Sequence, residues 1–533
     1  VVAKSHNQFV LAVDLGTSGC KCALARLDGT VDQWAFRSFP LHIVDEIGAE
    51  QDPEDWWSAF IGAARELIAT LPESQGEIVA ICCSSQGECT VAVNKEGQPL
   101  QRAMSWVDMR GGEAIRRRAG AGRFSVAGYD PIKLMRWIGR TGGAPSLSGK
   151  DTAGHMAYIQ EAWPAIYDQT YKFLNALDYM NLRLTGRFAA TVDSILTSWV
   201  TDNRDASNIR YDAKLVGQSG IAMDKLPEIV LCTDILGPLC VSAAEALGLP
   251  QETRVVAGAV DNSAAAIGSG AVRDGEAHLY IGTSSWIGAH VPFKKSDLSS
   301  RIASIPCAIR GRYLAIALQS AAGSNLSFLC DKILFDEDEL GTERPTDVYA
   351  KLDRMAASVP PGARGLLYAP WLCGERSPVD NPSLRAGLLN LSLQHSRRDI
   401  VRAIMEGVAF NTRWMTTPVN HFLGKPMEQI TMVGGGASSD VWCQIFADVL
   451  GVRILQPEAP IQANAIGAAF IAGVGIGAIS YDDVPSLTRI RQAYEPDMER
   501  KAMYNVAFEN YKFAYKRLRP LYRRFNPGKR TSL

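Results

Sequence analysis

Residues 9–36 run through FVLAVD, LGTSG and KCALARLDGTVDQWAF: an apolar stretch, a Gly-Thr-Ser turn, then two strand-like stretches broken at Asp28-Gly29. A strand that returns through a tight turn into a second and a third is a β-meander. A dinucleotide-binding unit instead needs its first strand to feed a helix directly. The same scheme of strand, Gly-Thr-Ser turn and strand recurs in HLYIGTSSWIGAHV, residues 278–291. One such unit in each half predicts two related domains facing one another. Length agrees, since 533 residues exceed what a single core organises.

Local patterns fill in the rest. DPEDWWSAFIGAARELIAT, residues 52–70, predicts a helix, with Pro53 early, acidic residues in the first turn and apolar side chains at helical spacing. EIVAICCSSQGECTVAVNKEGQPL predicts a buried strand and a strand pair around 94–97, and helices are expected over 151–162 and 172–184. RRDIVRAIMEGVAFNTRWM has helical periodicity with Asp399 near its start, and QITMVGGGASSDVWCQIFADVLG reads as strand, glycine turn and helix. From Met498 the chain is basic and aromatic. Tyr504, Phe508, Tyr511 and Tyr515 fall three or four apart, the spacing of a packed helix rather than a nucleic-acid arm.

A formal charge of -1 leaves no global field to gather nucleic acid or an anionic membrane, so neither is an expected partner. The first residues, VVAKSHNQFVLAVDLG, lack an export-signal pattern and no segment has eighteen uninterrupted apolar residues; a cytoplasmic location is expected. The 11 cysteines and 7 histidines form no ligand-spaced cluster, and small buried hydrophobes are the expected role of the cysteines.

Three small-residue turns carry the candidate chemistry: Gly16-Thr17-Ser18-Gly19, Gly282-Thr283-Ser284-Ser285 and Gly434-Gly435-Gly436-Ala437-Ser438-Ser439. Glycines let backbone amides approach an anion and hydroxyls add donors, so together the turns suit a polyphosphate; singly, each is also an ordinary hairpin. Asp14 beside such donors would repel phosphate unless a cation intervened, which points to Mg²⁺; a turn cap is the plain alternative. Lys21 is placed to reach back toward phosphate or to sit on the surface. Gln86 and Glu88 in SSQGEC, with Trp106, Asp108 and Arg110 in MSWVDMRGG, suit a small polyhydroxylated ligand. Equally, Trp106 can be core and Asp108 can pair with Arg110. Asp261, in VVAGAVDNSAAAIGSGAV, is either a helix cap or the chemical centre. GGAPSLSGKDTAG, residues 142–154, imitates a nucleotide P-loop, but Ala144 replaces the first glycine and Asp151 the Ser/Thr after Lys150. It is expected as a linker or surface loop, with Asp151 starting a helix.

These motifs resemble those of the FGGY carbohydrate kinase family, across nearly the whole chain. VDLGTSGCK is similar to its opening ATP loop, DPIKLMRW to its first signature, GERSPVDNPSLRAG with HSRRDIVRAIMEGVAF to its second, and GGGASSDVWCQIFADVLG to its adenosine-side segment. The resemblance implies the two-domain α/β ribonuclease H-like (sugar kinase/actin/Hsp70) fold, divided as 7–256 on the sugar side, 257–485 on the nucleotide side and a helical extension over 486–533. It implies ATP and Mg²⁺ as cofactors and phosphorylation of a small sugar or polyol in the interdomain cleft. Asp261 then corresponds to the base that takes the hydroxyl proton and, with Asp14, to a metal ligand; Asn262 contacts substrate. Gly282, Thr283 and Ser284 lie near the transferring phosphate with Thr17 and Ser18 opposite, and Gly435, Gly436 and Ala437 contact adenosine diphosphate. For the substrate, Gly87 and Glu88 stand where xylulokinase-like members carry Met and His, Glu88 with Thr90 is reminiscent of glycerol kinase, and Asp261-Asn262 resembles the ketopentose kinases. A ketopentose such as D-xylulose is expected, a polyol such as glycerol, a tetritol or a pentitol is the alternative, and an ATP-dependent sugar sensor is the reading from another class. The assembly is left open to a homodimer.

Overall fold

A computed structural model describes residues 8–71, 77–120, 125–336, 338, 339, 341 and 343–526. Residue 7 of the expected first domain and residues 527–533 of the expected extension lie outside the described residues. The opening meander forms as its turns dictate. β1 (Gln8–Leu15), β2 (Gly19–Arg26) and β3 (Val31–Ser38) pair antiparallel in sequence. Helix α1 (Pro53–Ile68), capped by Asp52 accepting the Glu54 amide, buries Trp56, Phe60, Ala63 and Leu67 and leads to β4 (Glu77–Ser85), parallel to β1. After helix α2 (Ala176–Thr185), β5 (Arg254–Val260) adds parallel to β4, with Ile235–Pro238 on its outer edge, completing a six-stranded sheet.

Following helix α3 (Asp261–Gly268), the second half repeats this order. β6 (Ala277–Ile281), β7 (Ser285–Val291) and β8 (Tyr313–Gln319) form an antiparallel meander. Helix α4 (Arg397–Leu423) leads to β9 (Gln429–Val433), parallel to β6, and helix α5 (Asp440–Leu450) to β10 (Arg453–Pro457), parallel to β9. Both sheets therefore share one core arrangement, in which the meander lies beside two parallel strands. Ser296–Asp297, Ile302–Pro306 and Ile490–Tyr494 widen the second to an eight-stranded sheet.

The halves are joined by α3 and helix α6 (Ala463–Gly475). At Gly467 a Cβ would overlap the carbonyl oxygen of Ala264, and at Gly268 that of Ala463. The four positions form two equivalent pairs, each glycine four residues after its alanine, so the helices cross with nearly touching backbones. The sequence holds the same A-x-A-I-G pattern at 264–268 and 463–467. α6 also packs its Ala465, Ala469 and Phe470 with Val10, Ala12, Cys82 and Val256 of the first sheet.

Several local expectations change. The turn at 94–97 forms, but its return arm makes only the isolated bridge Val93↔Pro99, and Val91–Val93 pairs instead with Lys172–Leu174. The expected helix over 172–184 thus begins as strand, because Phe173 and Leu174 are buried and the Asn175 capping box, closed by Asp178, starts α2 at Ala176. Nor is 142–154 a surface loop. Ser148, Gly149 and Asp151 are buried, since a side chain at Gly149 would overlap the backbone of Gly111 and Gly112. Asp151 does cap the helix Thr152–Ala162 by accepting the Gly154 amide. The aromatic tail is helix α7 (Met498–Phe525), whose Tyr504, Phe508, Tyr511 and Tyr515 join the core of the second sheet. All cysteines except Cys240 and Cys373 are buried. No described helix is long and apolar enough to cross a membrane.

Candidate active site

The parallel strands of both sheets end at the residues singled out above. Register pairs Asp14 with Ser84 across β1 and β4, and Val260 with Ser85 across β5 and β4. Asp14, the segment 86–88 and Asp261 therefore leave the first sheet side by side, at the carboxyl ends where open α/β sheets present ligands. In the second sheet, β6 and β9 deliver the turns 282–285 and 434–439 as neighbours, and a Cβ on Gly434, whose φ is 88°, would meet the Ile281 carbonyl oxygen at 2.7 Å. Residues 460–464 link the two sets of strand ends. Gly434 donates its amide to Pro460 O (2.8 Å), Lys21 Nζ donates to Ile461 O (3.2 Å), and Asn464 Nδ2 donates to Asp14 Oδ1 (3.1 Å).

A bulge in β5 between Val256 and Ala259 aims Asp261. Gly258 there has φ 76°, and a Cβ would overlap the Cys83 carbonyl, so the bend demands glycine. Behind it, buried Asp193 accepts the Val260 amide (3.1 Å) and Thr191 Oγ1 (2.6 Å), fixing where α3 begins. Asp261 is the first residue of that helix, and its Oδ1 accepts the Asn262 amide at 2.7 Å. Burial, and then the charges of Asp14, Glu88 and Asp193, push its carboxyl up to about 7 against the pull of that amide. A carboxylate poised there can accept a proton near neutral pH. Asn262 Oδ1 is buried with no partner among the described residues, an acceptor left for a ligand.

Lys21 is engaged with Asp14 Oδ2 at 3.3 Å as well as with Ile461 O. Asp14 and Asp261 repel one another, which a divalent cation would relieve, and hard carboxylate oxygens fit Mg²⁺. Among the described residues no third His, Cys, Asp or Glu completes a metal cluster, so the remaining ligands of such an ion would be phosphate and water.

In the first half, Gln86 Nε2 donates to Gln51 Oε1 (2.7 Å), Gln51 Nε2 to Thr17 O (2.7 Å) and Trp106 Nε1 to Thr17 Oγ1 (2.9 Å). One chain of bonds therefore ties Gln86 to the first Gly-Thr-Ser turn, leaving Gln86 Oε1 buried and without a partner among the described residues. Ser18 sits in that turn, and its carbonyl accepts the Phe39 amide. Glu88 has φ 62°, unusual for a side chain of its size, and the missing Cβ of Gly87 faces open space. Asp108 does not reach this space. It is fully buried, and its carboxylate accepts the Ala49 amide (2.9 Å) and the Arg110 guanidinium (2.6 Å), which also holds Glu50. The plain alternative, a structural pair, is what the chain builds.

On the opposite side, Ala322 donates its amide to Thr283 O (2.9 Å) and Gly323 to Gly282 O (2.8 Å), while Ser284 O accepts the Gly282 amide (2.9 Å). Tyr280 stacks on Trp286 with centroids 4.0 Å apart, and its phenol faces the charges of Asp14 and Asp261. Of the glycines expected to contact nucleotide, Gly435 alone has open space where a Cβ would stand. A Cβ on Gly436 would overlap Ile281, and Ala437 is buried with its carbonyl accepting Gln456 Nε2 (2.6 Å). Sequence reasoning missed Gln51, Asp193, Asn464 and Tyr280; only Asn464, inside the repeated A-x-A-I-G pattern, carried a readable signal.

The N-terminal domain model of the FGGY family of carbohydrate kinases matches residues 9–127 and 131–268, and its C-terminal domain model matches residues 277–476. The chain is 28% identical over 515 residues to a xylulose kinase of Bacillus subtilis (strain 168), covering 95% of this chain and 97% of the other. It is 26% identical over 495 residues to a gluconokinase of the same organism, covering 90% of each. The crystal structure of xylulose kinase from Rhodospirillum rubrum superposes with a TM-score of 0.80 at 28% identity, over 96% of this chain and 99% of that one.

Proposed function

Because the chain belongs to the FGGY family of carbohydrate kinases, with both family domains present, we propose that its cleft passes the γ-phosphoryl group of ATP to a hydroxyl of an open-chain sugar, with Asp261 as the base. The observation that carries this reading is the placement of Asp261. It stands at the end of β5, near neutrality, beside Asp14 and among turns contributed by both halves. Phosphoryl transfer asks the protein mainly for positioning and for charge at the transferring group. An alcohol is far more basic than a carboxylate, so Asp261 first orients the hydroxyl and takes its proton late, as the new P–O bond acidifies it. Mg²⁺, held by Asp14 and Asp261, would supply charge neutralisation at the phosphates. Lys21 and Asn464 hold the Asp14 carboxylate in position. Closure of the two halves about α3 and α6 would exclude water from the reaction.

D-Xylulose is the lead substrate, supported by the Asp261-Asn262 pair and by the substrate named for the xylulose kinase relatives. D-Gluconate is the second, supported by the gluconokinase relative. A panel of ketopentoses, hexuloses, pentitols, tetritols, glycerol and D-gluconate, followed by ADP release and product mass, is expected to single out a five- or six-carbon open-chain sugar. Preferred turnover of glycerol would overturn that choice.

The charges around Asp261 also set a pH dependence. Protonated Asp261 cannot accept a proton, so kcat/KM is expected to fall at acid pH, at a point that Mg²⁺, by offsetting the charge of Asp14, sets below the value of about 7 of the metal-free cleft. Glu88→Gln removes one charge that holds this pKa up and moves the acid limb to lower pH. An acid limb that stays in place in the variant contradicts the coupling.

A further inference from the structure

The stretch HLYIGTSSW puts His278 and Tyr280 on one face of β6, and the register sets Trp286 of β7 directly opposite Tyr280. The two rings lie 4.0 Å apart and 4° from parallel. Trp286 Nε1 donates to His278 Nε2 at 3.1 Å, and because an indole can only donate, that ring nitrogen is the acceptor. Burial, then the neighbouring His290, lowers the His278 pKa to about 3, so the ring stays neutral and keeps accepting around neutral pH. Trp286 is further enclosed in a buried cluster with Ile316 of β8 and Ala265 of α3, against which Tyr280 packs. The phenol is therefore carried on a fixed aromatic plate.

That plate lies between the helix that begins with Asp261 and the second Gly-Thr-Ser turn. Ala265 stands four residues after Asp261, on the same face of α3. On the other side, a Cβ on Gly282 would overlap Tyr280 Cε1 at 2.6 Å and stand 3.2 Å from Tyr280 Oη. The bare Cα at 282 thus lets the hydroxyl lie against the first residue of the turn. Tyr280 is only part-buried, and its hydroxyl makes no hydrogen bond with any described residue. Burial, and then the charges of Asp14 and Asp261, push its pKa up, so the oxygen keeps its proton and remains a donor.

We propose that Tyr280 is a further catalytic residue, its hydroxyl donating to an oxygen of the γ-phosphoryl group as that group passes to the sugar. The transferred group must lie within reach of a hydroxyl held by Asp261 and against the turns that suit phosphate. Tyr280 packs toward the Asp261 helix through Trp286 and touches the second turn directly. Charge in such a transfer is spread over the equatorial phosphoryl oxygens, where a fixed neutral donor stabilises it. The assignment rests on the kinase reading of the cleft.

The test is Tyr280→Phe, which removes the hydroxyl and keeps the ring on Trp286. Turnover of the accepted sugar is combined with thermal unfolding and with calorimetric binding of ADP and of a nonhydrolysable ATP analogue to the full-length protein. In the variant kcat is expected to fall about 10- to 100-fold and analogue affinity about fivefold or more, while ADP affinity and the KM for sugar stay within about twofold and the melting curve matches wild type. A selective loss of kcat, of analogue affinity or of both bears the contact out. Equal loss of ADP and analogue, or a lowered melting temperature, makes the hydroxyl a packing element and overturns the contact. A raised KM for sugar alone places the hydroxyl on the sugar and overturns it too. If analogue affinity falls selectively but the wild type phosphorylates no sugar, the contact stands and the kinase reading fails. If the wild type phosphorylates sugar and the variant matches it throughout, the contact fails and the kinase reading stands.

Discussion

Asp261→Asn is expected to lower kcat by roughly 1,000-fold while sugar and ATP still bind within a few-fold of wild type. The substitution is close to isosteric, and an amide oxygen can still accept the Asn262 amide that Oδ1 accepts now. What is lost is the capacity to receive a proton. The like-charge repulsion from Asp14 and Glu88 also disappears, so the variant is expected to be at least as stable as wild type. Rapid-quench measurement of the chemical step, with separate binding titrations, separates this outcome from misfolding. Transfer within a few-fold of wild type across the pH range would remove Asp261 from its role.

The second large effect is structural. Gly467→Ala is expected to destabilise the protein by about 2–3 kcal/mol and to lower activity with it, because the added methyl has no place against the Ala264 carbonyl oxygen. Helix propensity favours alanine by about 1 kcal/mol, so the sign of the result separates close packing from propensity. Gly268→Ala, against the Ala463 carbonyl, is expected to behave alike, since the contacts are equivalent. Spreading these helices also separates Asp261, at the start of α3, from Asn464, at the start of α6. Gly435→Ala is the control. A Cβ there meets nothing within 4 Å, so its melting curve should match wild type. A Gly467→Ala protein that melts as wild type would contradict the crossing.

The repeated meander was legible because a Gly-Thr-Ser turn between apolar stretches is local chemistry, and each copy forms through contacts with its own neighbours. Asp14 and Asp261 were legible for a related reason. Each follows directly on an apolar strand, and parallel strands must place such ends together. Residues whose roles depend on distant partners were not legible. Nothing beside Asp193 shows that it will receive the amide of Val260, and nothing beside Gln51 shows that it will bridge Gln86 and Thr17. Asp108 and Lys150 miscarried in opposite directions. The pairing of Asp108 with Arg110 is local and won over the ligand role, whereas the loop around Lys150 is drawn inward by Gly111, Gly112 and Trp199. The A-x-A-I-G repeat was present throughout, but a five-residue pattern carries little weight until the crossing explains why its alanines and glycine must be small.

The central claim is that the cleft moves phosphate from ATP to a sugar hydroxyl rather than hydrolysing ATP in response to a bound sugar. Following ATP, ADP and phosphorus-containing products together by phosphorus NMR tests it directly. The account predicts a sugar phosphomonoester formed in equal amount to ADP and only when the accepted sugar is present. Sugar-stimulated ADP formation accompanied by inorganic phosphate, with no phosphomonoester, would contradict it.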